Sequence, residues 1–344
     1  KGSQDYLFVS PDSIRMYIPN TNDEVKGLGS RGGFAVGGFD PIAKGAGDLY
    51  FNITGTNTAD IYDNVSQVLW YPRKEAFLAG NIHIGDPDSV GFNSTAFGFR
   101  PVAMGDYSQA FGYASKAIAN NTTAIGNRAQ ALGLDSYAFG SAAVAQGDKS
   151  FALGSVGVDS LNNTIGDPTV ASGNYSIALG ISSQAIGQGS LSFGVMSQAA
   201  GYYSTSLGYQ ASAEGAFSNA FGLRSTAGGR YSMAFGYLSS APADYSVAIG
   251  VYALTEGVYS VALGRSARSY QPYAYALGYN AAANNYSSYA IGQNAVASNN
   301  YSVSIGRNSN TTGYASTAIG YYASAGQSYA NAIGYYADAR AMYS

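Results

Sequence analysis

Tyr245-Ser246-Val247-Ala248-Ile249-Gly250-Val251-Tyr252-Ala253-Leu254-Thr255-Glu256-Gly257-Val258 is one copy of the repeat that decides the fold. A tripeptide of small residue, Phe/Ile/Leu and Gly ends at Gly98, Gly112, Gly126, Gly140 and Gly154. It then ends every 14 residues from Gly180 to Gly334. Thr164-Ile165-Gly166 adds one more copy after a unit two residues short, giving 18. Side chains of a strand alternate between faces. Ser246, Ala248 and Gly250 therefore share one face, and Tyr245, Val247 and Ile249 the other. Ala211-Ser212-Ala213-Glu214-Gly215 sorts small from polar residues in the same way. Each unit reads as two strands of about five residues joined by two short turns. A helix is excluded, because apolar positions do not recur at three and four and every unit contains Gly. The expected fold is an all-β parallel roll whose thin interior admits only Ser, Ala and Gly, with coils stacked at roughly 4.8 Å.

Composition agrees. The 344 residues include 45 Gly and 31 Tyr, no Cys, one His and one Trp, and only 11% are charged. Gly at this level without abundant Pro or long charge runs fits many tight turns, not disorder. A net charge of −3 gives no footprint for nucleic acid. No apolar run reaches about 18 residues, so this segment has no expected membrane insertion. The absence of Cys removes a disulfide framework and thiolate chemistry. His83 stands without a nucleophile or base partner in sequence, and no spacing of Asp, Glu or His provides a metal site. The expectation is no catalytic residue, no cofactor and no metal.

The outward face carries an aromatic or aliphatic residue in every copy. Phe97, Phe111, Ile125, Phe139, Leu179, Phe193, Phe221, Phe235, Ile249, Leu263, Ile291 and Ile319 form one such row. A stripe of this length exceeds what a monomer usually exposes, so a closed homo-oligomer is expected to cover it. The pattern alone does not choose two-fold over three-fold symmetry.

Tyr245-Ser246-Val247-Ala248-Ile249-Gly250 and Asn121-Thr122-Thr123-Ala124-Ile125-Gly126 resemble the head repeats of YadA-like trimeric autotransporter adhesins. The likeness covers residues 93–344. It implies a left-handed parallel β-roll, a homotrimer with the stripe above as its interface, and an extracellular location on a bacterial surface or outer-membrane-attached filament. It also implies adhesion to a host or matrix protein, a surface glycan or other cells through repeated weak contacts. A receptor-binding tail fibre of a phage or phage-like injection system, and a passive structural spacer, are the alternative readings. The sequence departs from the family where Tyr replaces its frequent Asn at nine leading positions: Tyr107, Tyr175, Tyr203, Tyr231, Tyr245, Tyr259, Tyr273, Tyr301 and Tyr329. These read as packing residues. Tyr321, Tyr322, Tyr335 and Tyr336, beside a turn, are the candidate ligand contacts.

Residues 1–92 differ in kind, holding 11 of the 20 acidic residues together with Trp70 and His83. Weak internal similarity suggests two β-rich units of about 43 residues, near 5–47 and 48–92. They are expected to cap the open end of a roll spanning 93–344.

Overall fold

The computed structural model describes strands at residues 7–10, 13–16, 34–37 and 49–53, and the chain from Ser66 to Ser344 apart from Pro72, Gly85, Asp159 and Asn162. The chain forms two compact units, Lys1–Ser136 and Tyr137–Ser344. Among the described residues there is no α-helix, and a single 3-10 turn at Pro87–Ser89.

In the first unit, Leu7–Ser10 pairs antiparallel with Ser13–Met16, and Phe34–Gly37 with Leu49–Ile53. Of the two 43-residue units expected at 5–47 and 48–92, the first lies mostly outside the described residues. Ser66–Tyr71 and Ala76–Asn81 form an antiparallel hairpin with Leu69 opposite Leu78. The second strand then pairs in parallel with Thr95–Phe99, setting Leu78 beside Ala96 and Gly80 beside Gly98. Parallel pairing continues to Gln109–Tyr113 and Thr123–Ile125. Leu69 and Leu78 are the largest fully buried side chains among the described residues, and with buried Tyr71, Ile82, Ile84 and Val90 they give the hairpin end of this unit larger core residues than the Ala, Ser and Thr of the coils. The hairpin thus satisfies the backbone edge of the first coil and fills its mouth.

In the second unit every coil adds one rung to each of two parallel sheets. Met233–Phe235, Val247–Ile249 and Val261–Leu263 stack in one sheet, and Ser240–Ala241, Leu254–Thr255 and Arg268–Ser269 in the other. From Ile177 onward the register is 14 residues, so Ala234, Ala248 and Ala262 superpose. Each of them is fully buried, as are Ser246, Ser260, Ala253 and Ala267. Some inward hydroxyls are satisfied locally: Ser246 Oγ donates to the Ala243 carbonyl at 2.6 Å, and Ser260 Oγ to that of Gly257 at 2.6 Å, whereas those of Ser204, Ser218 and Ser232 are buried without a hydrogen-bond partner. Where Ser replaces the central Ala, at Ser192 and Ser206, hydroxyls of Ser183, Ser192, Ser197 and Ser206 join in a buried network at 2.7–3.2 Å. Such partners lower the cost of burying a hydroxyl in so thin a core.

The strands are shorter than the expected five residues. Most coils have one of three residues and one of two. Three positive-φ residues per coil break the extended backbone, as Tyr245 (55°), Gly250 (135°) and Tyr252 (57°) do. The repeat Gly is dictated by neighbours as well as by φ. A Cβ on Gly250 would lie 2.3 Å from the Gly264 carbonyl oxygen, and Gly264 stands in the same relation to Gly278.

Thr164-Ile165-Gly166 is not a coil, against expectation. Phe151–Ser155 pairs directly with Ile177–Ile181, and Val144–Ala145 with Val170–Ala171. Between them Gly157–Val158 and Thr164–Ile165 form an antiparallel hairpin. A unit two residues short cannot supply both strands and both turns in register, so it leaves the stack.

Gly250→Ala is expected to lower the denaturation midpoint by the equivalent of about 1–3 kcal/mol or more, from backbone strain and the clash with Gly264. Glu256→Ala, at an exposed position, should stay within about 0.5 kcal/mol. Guanidinium unfolding followed by circular dichroism reads both. Equal midpoints would show that coil-to-coil contact at Gly250 is not tight.

Candidate partner-facing surfaces

Three outward features line the coils: an apolar column on the three-residue strands, and a ladder at each of the two turns. The twelve apolar residues singled out from the sequence all stand outside the core. Phe111, Phe139, Leu179, Phe221, Ile249, Leu263 and Ile291 are half-buried in the single chain, and Phe97, Ile125, Phe193, Phe235 and Ile319 exposed. Within the first unit Phe97 and Phe111 are in register with rings 6.0 Å apart. In the second, Phe221, Phe235, Ile249 and Leu263 are successive rungs, as are Ile291, Ile305 and Ile319. A parallel column carries Val247, Val261, Tyr275 and Tyr289, the two tyrosine rings stacked at 5.2 Å. Within the second unit these residues form a column of successive rungs on the outer face of the three-residue strands.

The nine leading tyrosines share an unusual backbone. All have φ between 50° and 61°, a left-handed turn conformation that bulky residues rarely adopt. Asn tolerates this conformation best, which is why an Asn or Asp fits at Asn93, Asn121 and Asp135. Stacking between coils compensates for the strain. Phe217, Tyr231, Tyr245, Tyr259 and Tyr273 form a parallel pile with centroids 4.7–5.4 Å apart and planes within 12°. Tyr203 extends it at 5.9 Å. Two coils carry Ser287 or Ala315 at the left-handed position. There Tyr286 and Tyr314, one residue earlier, enter the ladder instead, meeting both neighbours edge to face at 5.6–5.7 Å. Tyr329 and Tyr343 return to parallel stacking at 5.1 Å. Eleven consecutive coils therefore present an aromatic ring at one edge. Sequence reading found most of these tyrosines but missed Phe217, Tyr286, Tyr314 and Tyr343. The available signal was a Tyr one place early wherever the leading Tyr was lost.

The other turn is chemically mixed. Tyr321, Tyr322, Tyr335 and Tyr336, the expected ligand contacts, form one cluster with centroids 4.5–5.7 Å apart. Arg307 lies over Tyr321 at 5.8 Å. On preceding coils the same turn is held by an amide ladder, Asn280 Nδ2 donating to Asn294 Oδ1 at 3.1 Å and Asn294 Nδ2 to Asn308 Oδ1 at 2.9 Å. Hydrogen bonds between neighbouring phenols raise the pKa of Tyr252, beside Tyr237, and of Tyr202, beside Tyr203. Desolvation, then the adjacent Tyr335 and Tyr322, raises that of Tyr336. His83 is exposed, and among the described residues no group of three His, Asp or Glu could hold a metal. No helix among them is long and apolar enough to cross a membrane.

The pattern of the YadA head domain repeat matches at residues 102–129, 131–155, 165–183, 171–195, 185–211, 199–225, 227–253, 256–281 and 283–309, more than half of the chain. A search of curated proteins finds no match.

The raised phenols favour the neutral form in the folded chain, so their contribution is present below the ordinary value near 10 and is lost as pH rises through the raised value. Tyr237→Phe removes the largest cause at Tyr252. In a carbon NMR titration of ring-labelled tyrosine, Tyr252 should then ionise at lower pH than in the native chain. An unchanged midpoint would show that the Tyr237–Tyr252 hydrogen bond does not form.

Proposed function

This chain belongs to the YadA head domain repeat family, and from that premise we propose that it is the head of a homotrimeric adhesin displayed outside the cell. The repeat is a structural, adhesin-type unit and not a catalytic one. The observation that carries the proposal is the outward apolar column carried by each unit. Phe235 is 53% exposed and Phe193 49% exposed in the single chain, and such a stripe in water opposes solubility. Three copies facing one axis with the same column bury it by symmetry, with Phe97, Phe111, Ile125, Phe139, Leu179, Phe193, Phe221, Phe235, Ile249, Leu263, Ile291 and Ile319 as the interface. The turn edges then lie toward solvent and repeat on three chains, so weak contacts multiply through avidity to attach the head to a host, matrix or other cell surface. Residues 1–92 are proposed as the cap of the roll that spans 93–344. The pairing of Ala76–Asn81 with the first coil supports that role.

Sedimentation equilibrium should return three times the chain mass. Ile249→Asp combined with Ile291→Asp should release monomers, since an unpaired charge buried at an interface costs about 3–5 kcal/mol. A variant that keeps the trimer mass would place the interface elsewhere. Alanine at Tyr321, Tyr322, Tyr335 and Tyr336 together should reduce attachment to cultured cells at least several-fold. Unchanged attachment would remove this cluster from the binding surface.

A further inference from the structure

The edge carrying the eleven-ring ladder changes character between Tyr259 and Tyr329. Upstream, parallel rings cover one another's faces and leave only their rims outward. Tyr273 still belongs to that pile, lying within 8° of Tyr259. Tyr286 is turned 77° to Tyr273 and 77° to Tyr301, so it meets each neighbour's face with its rim and keeps its own faces out of the pile. Tyr314 repeats this at 80° and 76°. The two rings are 39% and 38% exposed, close to Tyr245 at 41% in the pile, so orientation and not exposure sets them apart. They stand two coils apart, or about 10 Å at the usual spacing of neighbouring strands.

The residues around them change at the same place. Before Ser-x-Ala-Φ-Gly, most coils carry a Gly where a Cβ would strike the next coil's carbonyl, as at Gly201, Gly215 and Gly257. Three successive coils carry amides there instead: Gln271, Asn285 and Asn299. Asn285 Nδ2 donates to the Ser298 carbonyl, and Asn299 Nδ2 to that of Thr312 at 3.0 Å, which fixes both amides against the next coil. No charged residue occupies this turn from Gly257 to Ala330, whereas the opposite turn carries Arg265 and Arg307.

We propose that Tyr286 and Tyr314, with Asn285, Asn299 and Asn300 beside them, form a binding track for a neutral, extended polysaccharide lying along the coils. Aromatic faces receive the apolar C–H faces of pyranose rings, and side-chain amides both donate to and accept from sugar hydroxyls. The two-coil spacing of the platforms approximates one disaccharide of an extended β-linked chain, so alternate sugar pairs meet equivalent sites. The uncharged turn disfavours acidic polymers, since the cation of the adjoining strand, Arg268, is engaged with the Tyr270 hydroxyl at 3.5 Å. This assignment rests on the adhesin reading above and gives it a ligand class.

The test uses the full chain in its native oligomeric state. Immobilised cello-, chito- and xylo-hexasaccharides are the neutral probes, and heparin the acidic one. The native chain should retain at least one neutral hexasaccharide and not heparin. Tyr286→Ala with Tyr314→Ala should weaken that retention at least tenfold, while Tyr286→Phe with Tyr314→Phe should keep it within about threefold, because the ring faces remain. Circular dichroism and sedimentation verify that each variant is folded and assembled. Tyr231→Ala with Tyr245→Ala, in the pile with covered faces, should leave retention within about twofold. Retention of no neutral probe, preferential retention of heparin, or equal loss in the alanine and phenylalanine pairs overturns the assignment. Attachment to cells without glycan retention overturns the glycan track alone. A monomeric native chain that does not attach to cells overturns the adhesin reading itself.

Discussion

Two sheets lie so close that only Ser, Ala, Thr and Gly fit between them, and the rest of the structure follows from that separation. Ala234, Ala248 and Ala262 fill the interior with one methyl per coil. No large side chain can enter without parting the sheets. Stability must then come from backbone hydrogen bonds between coils and from whatever the outward side chains can bury. The repeat Gly belongs to the same constraint, since its neighbour's carbonyl occupies the space of a Cβ.

The outward side chains solve this in two ways. On the strand face, Phe, Ile and Leu form an outward column, which the proposed trimer covers. At the leading turn, large residues take a left-handed backbone that costs free energy in isolation, and each ring stacks on the one a coil away. A ladder of this kind is cooperative in one dimension, because every rung except the terminal ones has two partners. The shift from Ser287 to Tyr286 and from Ala315 to Tyr314 keeps the ladder whole when the usual position is lost. Continuity of the ladder is therefore retained even where its geometry changes from parallel stacking to edge contacts.

The 14-residue period made the coil, its small interior and its outward column legible in sequence, because alternation with period two sorts Ser246 and Ala248 from Val247 and Ile249 without further knowledge. Strand lengths were less legible. The left-handed conformation of Tyr252 belongs to a turn whose composition varies from Ala to Arg to Asn, so no residue type announces it. The hairpin at Gly157–Ile165 was visible only as a short unit, since its Thr164-Ile165-Gly166 imitates the repeat. The tyrosine cluster at 321–336 was legible from its doublets. The turned rings were not, because ring orientation depends on which of two adjacent turn residues carries the aromatic group.

Coil-to-coil backbone contact is the claim on which the account stands, and residue-resolved amide hydrogen exchange tests it most directly. The amides of Gly250, Gly264, Gly278 and Gly292 donate to carbonyls of the preceding coil at 2.8 Å. The expected result is slow exchange at all four with closely similar rates, as members of one cooperative stack. Exchange at the rate of an unstructured peptide at these glycines, in a chain that otherwise keeps its strand content, would contradict it.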